Sequence, residues 1–312
     1  MSEPPTAALR IATRRSQLAL WQAEHVAALL SRAHAGVGVE LIPISTKGDR
    51  IQDRSLAAIG GKGLFIKELE VALEEHRADM AVHSMKDVPS DLPDGFVIAA
   101  VLPRADPRDA LLTATAERIE DLPRAARVGT SSLRRQAQLL STRPDLRIEA
   151  LRGNVDTRLR RLDDGELDAI ILACAGLIRL GWESRITARL DTRFCMPAVS
   201  QGIIGIECRS DDSCTRTLLS ALNDSATRAA MDAERAFAGR LGGSCQSPIA
   251  AYATLDGNRL TLDGLVAEPD GSRLLRGSIT GGADEPRSLG EELADRVLAA
   301  GAATLLERLR SG

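Results

Sequence analysis

The 312-residue chain is about twice the ~150 residues of an average domain, and its 44% hydrophobic and 27% charged residues suit a folded protein of two or three domains. Forty Lys and Arg against 43 Asp and Glu leave a net charge of −3, so no global basic field draws it to nucleic acid or membrane. No apolar run approaches the ~18 residues of a spanning helix. The segment 1–8 has neither a basic nor an apolar leader region, and five cysteines without a CxxC give neither a disulfide framework nor a zinc ribbon. A cytoplasmic protein without a metal site is expected.

The first ~100 residues alternate short apolar runs with helical patterns. Arg10–Thr13 and Val39–Ile44 read as strands, with Leu20, Ala23, Ala27 and Leu30 marking one face of a helix between them. Gly60-Gly61-Lys62-Gly63 opens a helix over 64–75, and Met80–His83 is a further strand. Pro103 and Pro107 bracket a linker. A second series follows: strand 127–129, helix 133–140, strand 146–151, helix 155–162, and the apolar strand 169–174, whose composition suits the centre of a sheet. Met196-Pro197 marks another hinge, and 203–206 another strand. After a helix over 226–241, turns at Asp256-Gly257 and Pro269-Asp270-Gly271 separate three strands of a meander, and one helix over 289–309 closes the chain. The fold class is α/β, in three parts, the third with an antiparallel sheet.

Charge is unevenly spread. Between Arg127 and Arg161 stand nine arginines and no lysine, with three acids, a net of +6 in 35 residues. A solvated helical face is the ordinary reading of such a run. Two details favour an anion site instead. Arg134-Arg135 occupies the first turn of a helix, where cations oppose the macrodipole unless an anion is bound, and Arg152 precedes another helix start. Arginine also suits bidentate carboxylate or phosphate recognition, and Gly129-Thr130-Ser131-Ser132 adds hydroxyls. Arg14 and Ser16 stand at a similar strand-to-helix junction, where ligands of open α/β sheets bind, although Ser16 serves equally as an N-cap. Asp87, in His83-Ser84-Met85-Lys86-Asp87, is either half of a surface ion pair or a carboxylate placed to stabilise a developing cation. Cys174 and Cys208 fall in apolar strands, whereas Cys245, in the small-residue loop 242–247, is the candidate nucleophile or attachment point.

Six segments in order, Arg10–Arg14, Gly60–Phe65, Ala81–Asp87, Val128–Arg135, Leu151–Val155 and Gly243–Gln246, resemble the porphobilinogen deaminase family, over almost the whole chain. The resemblance implies a transferase of tetrapyrrole (heme, porphyrin) biosynthesis that condenses four porphobilinogen molecules head to tail, with loss of ammonia, into hydroxymethylbilane. It implies a dipyrromethane cofactor held by a thioether at Cys245, and Asp87 as the catalytic carboxylate. By the same resemblance Lys86, Ser84, Asp87, Thr130, Ser132, Arg134 and Arg135 bind the cofactor, and Arg14, Ser16, Arg152, Arg158, Arg179, Phe65 and Gln201 bind substrate. It further implies a monomer whose first two domains are like the lobes of type II periplasmic solute-binding proteins. Their bounds are 8–102 plus 203–221, and 108–196; a third, cysteine-bearing domain spans 225–312, with hinges near 103–107 and 197–202. Ser200, in Pro197–Gly202, departs from the family pattern, which has glycine there.

The chemistry agrees with the residues. Each porphobilinogen brings two carboxylates, which an arginine-rich, lysine-poor segment in a net-acidic protein suits. A non-catalytic carboxylate-binding module of solute-binding type is the competing reading, and it needs neither Cys245 nor Asp87. Nucleic-acid binding ranks last, because the arginine segment contains no Phe, Tyr or Trp.

Overall fold

The computed structural model describes residues 8–50, 66–243 and 247–311. The elements run β1 (Leu9–Arg14), α1 (Gln17–Ala33), β2 (Val39–Ile44), α2 (Lys67–Glu74), β3 (Met80–Ser84), a 3-10 turn at Met85–Asp87, and β4 (Phe96–Val101). Then come β5 (Asp109–Leu112), β6 (Arg127–Gly129), α3 (Leu133–Thr142), β7 (Arg147–Glu149), α4 (Val155–Asp163), β8 (Ala169–Ala173), α5 (Cys174–Arg179) and β9 (Ala188–Arg189). The chain continues through β10 (Ile204–Arg209), α6 (Ser213–Ser220), α7 (Ser225–Arg240), β11 (Ile249–Asp256), β12 (Arg259–Ala267), β13 (Leu274–Gly282), α8 (Pro286–Val297) and α9 (Ala303–Ser311).

Two compact units result, Met1–Arg104 with Ile203–Arg228, and Ala105–Gly202 with Ala229–Gly312. The first holds a five-stranded sheet in the order β2-β1-β3-β10-β4, in which β1 is parallel to both neighbours and β10 runs antiparallel between β3 and β4. Its strands are apolar because both faces are covered. On one side lie Ala23, Val26 and Leu30 of α1, and on the other Leu69, Ala72 and Leu73 of α2. The buried stripe of α1 is Ala19, Gln22, Ala23, Val26 and Leu30, a helical spacing that leaves Leu20 and Ala27 at its margin.

The second unit holds a mixed five-stranded sheet, β7-β6-β8-β5-β9, with β8 parallel to β6 and antiparallel to β5, and the meander β11-β12-β13. The strand over 169–174 is therefore central, as its composition suggests. Cys174, expected in that strand, instead begins α5, still fully buried. The meander packs on α7 and α8 through Phe237, Leu262 and Leu293. The meander is the small antiparallel sheet expected of the third part of the chain, and it falls in one compact unit with the second sheet. The single C-terminal helix expected over 289–309 is broken: Gly301 takes φ 110°, outside helical geometry, so α8 and α9 are separate. The expected helix 64–75 is described only from Lys67.

Candidate active site

In the first unit, Arg14 is the last residue of β1 and half-buried. Ser16 caps α1, its hydroxyl accepting from the Ala19 N–H at 3.3 Å, which leaves its own O–H to donate. Ser84, ending β3, lies 2.8 Å from the Gln22 side-chain nitrogen. Its neighbour Met85 anchors the turn: the Met85 N–H donates to Ile203 O at 3.0 Å, and the side chain is 1% exposed. The turn then presents Lys86 and Asp87, both half-buried. Among the described residues, the Asp87 carboxylate accepts no hydrogen bond and forms no ion pair. Its described neighbours therefore leave the Asp87 carboxylate open to a ligand.

In the second unit the nine arginines of 127–161 separate by environment. Arg127, Arg143 and Arg161 pair with Asp168, Asp145 and Glu166, the ordinary ion-pair reading. Arg134 and Arg135 are 4% and 7% exposed and share one carboxylate. Asp109, at the start of β5 and fully buried, accepts from Arg134 Nη1 at 2.8 Å and from Arg135 Nη2 at 2.7 Å. Gln201 Nε2 donates to the same carboxylate at 2.9 Å, and the Cys195 thiol lies 3.3 Å from it. Carbonyls complete the seat: Arg134 Nη1 donates to Met196 O at 2.6 Å, Arg135 Nη1 to Ile171 O at 2.9 Å. Burial alone would raise the Asp109 pKa, but the charges and hydrogen bonds of Arg134 and Arg135 hold it far below the usual carboxylate range. Burial, with the Asp109 charge beside it, pushes the Cys195 thiol up to about 12, so the cluster contains two cations and one anion. The Nε–H groups of both arginines are buried without an acceptor.

The loop before α3 supplies hydroxyls. Thr130 Oγ1 accepts from the Ser132 N–H at 3.2 Å, and Ser132 Oγ caps α3 by accepting from the Arg135 N–H at 3.4 Å. Each hydroxyl keeps its own O–H to donate. Arg158 Nε donates to Gly153 O at 2.9 Å, while Arg152 forms no ion pair or hydrogen bond through its side chain among the described residues. Arg179 donates to Gly202 O at 2.7 Å and has no carboxylate partner among them; burial pushes its pKa down to about 10. A desolvated arginine with no anion has the same deficit as the buried pair.

Gln201 is thus part of the Asp109 cluster, also donating to Pro107 O at 2.6 Å. Phe65 and Cys245 lie outside the described residues. Asp109 escapes a reading of the sequence. It heads the apolar run Ala110-Leu111-Leu112 directly after a proline-bracketed linker, and a charge opening a buried strand is the signal that was available. Glu207, fully buried on β10 and 2.7 Å from His83 Nε2, escapes it equally.

A family model described as porphobilinogen deaminase, dipyromethane cofactor binding domain, matches residues 9–217, and one described as porphobilinogen deaminase, C-terminal domain, matches 229–299. Similar solved structures include the methionine-binding protein MetQ, 13% identical, covering 69% of this chain and 89% of that one with a TM-score of 0.46. A periplasmic substrate-binding protein of an ABC transporter from Coxiella burnetii is 16% identical over 70% of this chain and 94% of that one, with a TM-score of 0.45. The periplasmic VFT2 domain of Bordetella pertussis BvgS is 15% identical over 68% and 85%, with a TM-score of 0.40.

Proposed function

Because the chain belongs to the porphobilinogen deaminase family, the hydroxymethylbilane synthases of tetrapyrrole biosynthesis, we propose that it condenses four porphobilinogen molecules head to tail into linear hydroxymethylbilane, releasing ammonia at each addition. It is a transferase of porphyrin biosynthesis with a dipyrromethane cofactor. No helix among the described residues is long and apolar enough to cross a membrane. The reading extends to a cytoplasmic monomer, with 225–312 acting as a third domain that bears the cysteine loop.

The observation that carries the reading is a local excess of buried cations in the second unit: two buried guanidiniums on one carboxylate, two buried Nε–H groups without acceptors among the described residues, and desolvated Arg179. Such a donor set fits a group that brings carboxylates of its own. Arg134, Arg135, Thr130 and Ser132, with Lys86 and Ser84, would hold the dipyrromethane, and Cys245 would carry it through a thioether. When bound, that group supplies the primer to which substrate rings are joined. Arg14, Arg152, Arg158 and Arg179, with Ser16, Phe65 and Gln201, would take the carboxylates and ring of incoming substrate. Asp87, with no hydrogen-bond or ion partner among the described residues, would accept the substrate pyrrole N–H and stabilise the cation left on the ring as ammonia departs. A non-catalytic carboxylate binder explains the arginines but neither Asp87 nor Cys245, and the family match favours the enzyme.

Intact mass tests the reading. The purified protein is expected to exceed its sequence mass by two porphobilinogen units less the ammonia lost, and Cys245→Ala to show the bare mass. A bare mass from fresh, active wild-type protein overturns the attachment.

A further inference from the structure

Resting on the reading that Arg134 and Arg135 hold the cofactor, we propose that Asp109 is the positioning residue of that site. Its buried carboxylate fixes the two guanidiniums beside each other and cancels one of their two charges, leaving one positive charge for a ligand carboxylate.

The geometry excludes a catalytic role for Asp109. A carboxylate offers about four lone-pair positions. Here Arg134 Nη1, Arg135 Nη2, Gln201 Nε2 and the Cys195 thiol occupy them, at 2.8, 2.7, 2.9 and 3.3 Å. Nothing remains to accept a pyrrole N–H or a proton, so Asp109 acts only through the arginines. Why the arginines need it follows from their place. Both stand in the first turn of α3, where the helix dipole opposes cations, and both are dry. Without an internal anion, two unpaired guanidiniums would repel each other and turn towards water. With two internal anions, the cluster would be neutral and would have no preference for a carboxylate ligand. One carboxylate between two arginines gives an ordered apo site that still carries a charge deficit. Gln201 extends the same hub, because its amide bonds both Asp109 and Pro107 O and so ties the 197–202 segment to the start of β5.

The test separates position from charge and from folding. Wild type, Asp109→Asn, Arg134→Leu and Arg135→Leu would be produced without a porphobilinogen supply, then given porphobilinogen while intact mass is followed over time. Folded fractions are matched by thermal melts, since a merely structural ion pair would alter the melt and not the loading of folded protein. Loading of folded Asp109→Asn is expected to be at least ten-fold slower than wild type. Wild-type loading by folded Asp109→Asn, alongside impaired arginine variants, overturns the positioning role and leaves the cofactor reading intact. Arginine variants that load normally overturn both. If Asp109→Asn does not fold, Asp109→Glu decides in the same assay, because its extra methylene keeps the charge and displaces the arginines. Loading ten-fold slower supports the role, and wild-type loading overturns it.

Discussion

At the scale of single residues, the charged groups assigned to the site differ in what they meet. Most arginines of the 127–161 segment end on an acid or a carbonyl, as surface chemistry leads one to expect, while Asp87 in one unit and Arg152 and Arg179 in the other have no ion partner among the described residues. Asp87→Asn keeps size and removes the charge that would stabilise the departing-ammonia transition state. Turnover is expected to fall by roughly 10³, about 4 kcal/mol at ~1.4 kcal/mol per decade, with the melt unchanged. Asp87→Glu, which keeps the charge one methylene away, should retain measurably more. Equal rates for Asn and Glu would remove Asp87 from the electrostatic role. Ser200 offers a stability measurement. It takes φ 60°, its hydroxyl is buried without a partner, and its N–H is held by Glu234 at 2.6 Å. Left-handed geometry costs a non-glycine residue ~1–2 kcal/mol, part of which Gly would forfeit to the freedom of its unfolded chain. Ser200→Gly should therefore raise stability by up to about 1 kcal/mol in a denaturant titration, and a loss would contradict the strain.

Elements position these residues through close approach. β10 enters the first sheet antiparallel to β3, with Gly205 opposite His83, and the Met85 side chain lies over that glycine. A Cβ at Gly205 would meet Met85 Sδ at 2.1 Å and Cγ at 2.8 Å, so the buried Met85 side chain would have to shift. Overpacking of this kind costs about 1–3 kcal/mol. Because Met85 opens the turn that carries Asp87, Gly205→Ala should lower the melt and reduce kcat together. A lowered melt with wild-type kcat would show that the turn is independent of β10. In the second unit the equivalent precision comes from α3: its cap, Ser132, fixes the first turn in which Arg134 and Arg135 meet Asp109 of β5, 25 residues earlier in the chain.

The whole molecule adds a pH dependence through a buried acidic group of the first unit. The Glu70 carboxyl lies above its ordinary value, first because of burial and then because of the Glu207 charge, with His83 partly offsetting both. A folded-state value above the unfolded one means that folded protein keeps a proton already released by the unfolded chain. That stabilisation is complete below the ordinary carboxyl range and is lost as pH rises through the folded value. Glu70→Gln removes the dependence. Its stability relative to wild type should increase between pH 4 and pH 8, read by thermal melts at each pH, and a difference independent of pH would contradict the shifted carboxyl.

The amino-acid sequence alone determined the alternation of strands and helices, the three-stranded meander, the arginine concentration and the motifs that carry the family. Each is a local pattern, set by side-chain periodicity, turn residues or contiguous chemistry. Even local patterns misled where an end was at stake: Cys174 continues an apolar run yet starts a helix, and Gly301 breaks a helix whose apolar spacing continues across it. The tertiary structure decided which strands pair, including the antiparallel entry of β10, and which of nine arginines are surface ion pairs and which are buried around Asp109. No spacing rule connects position 109 to 134, 135, 195 and 201. Burial and charge compensation are properties of three-dimensional neighbourhood, and a buried carboxylate is stable only where folding brings cations to it.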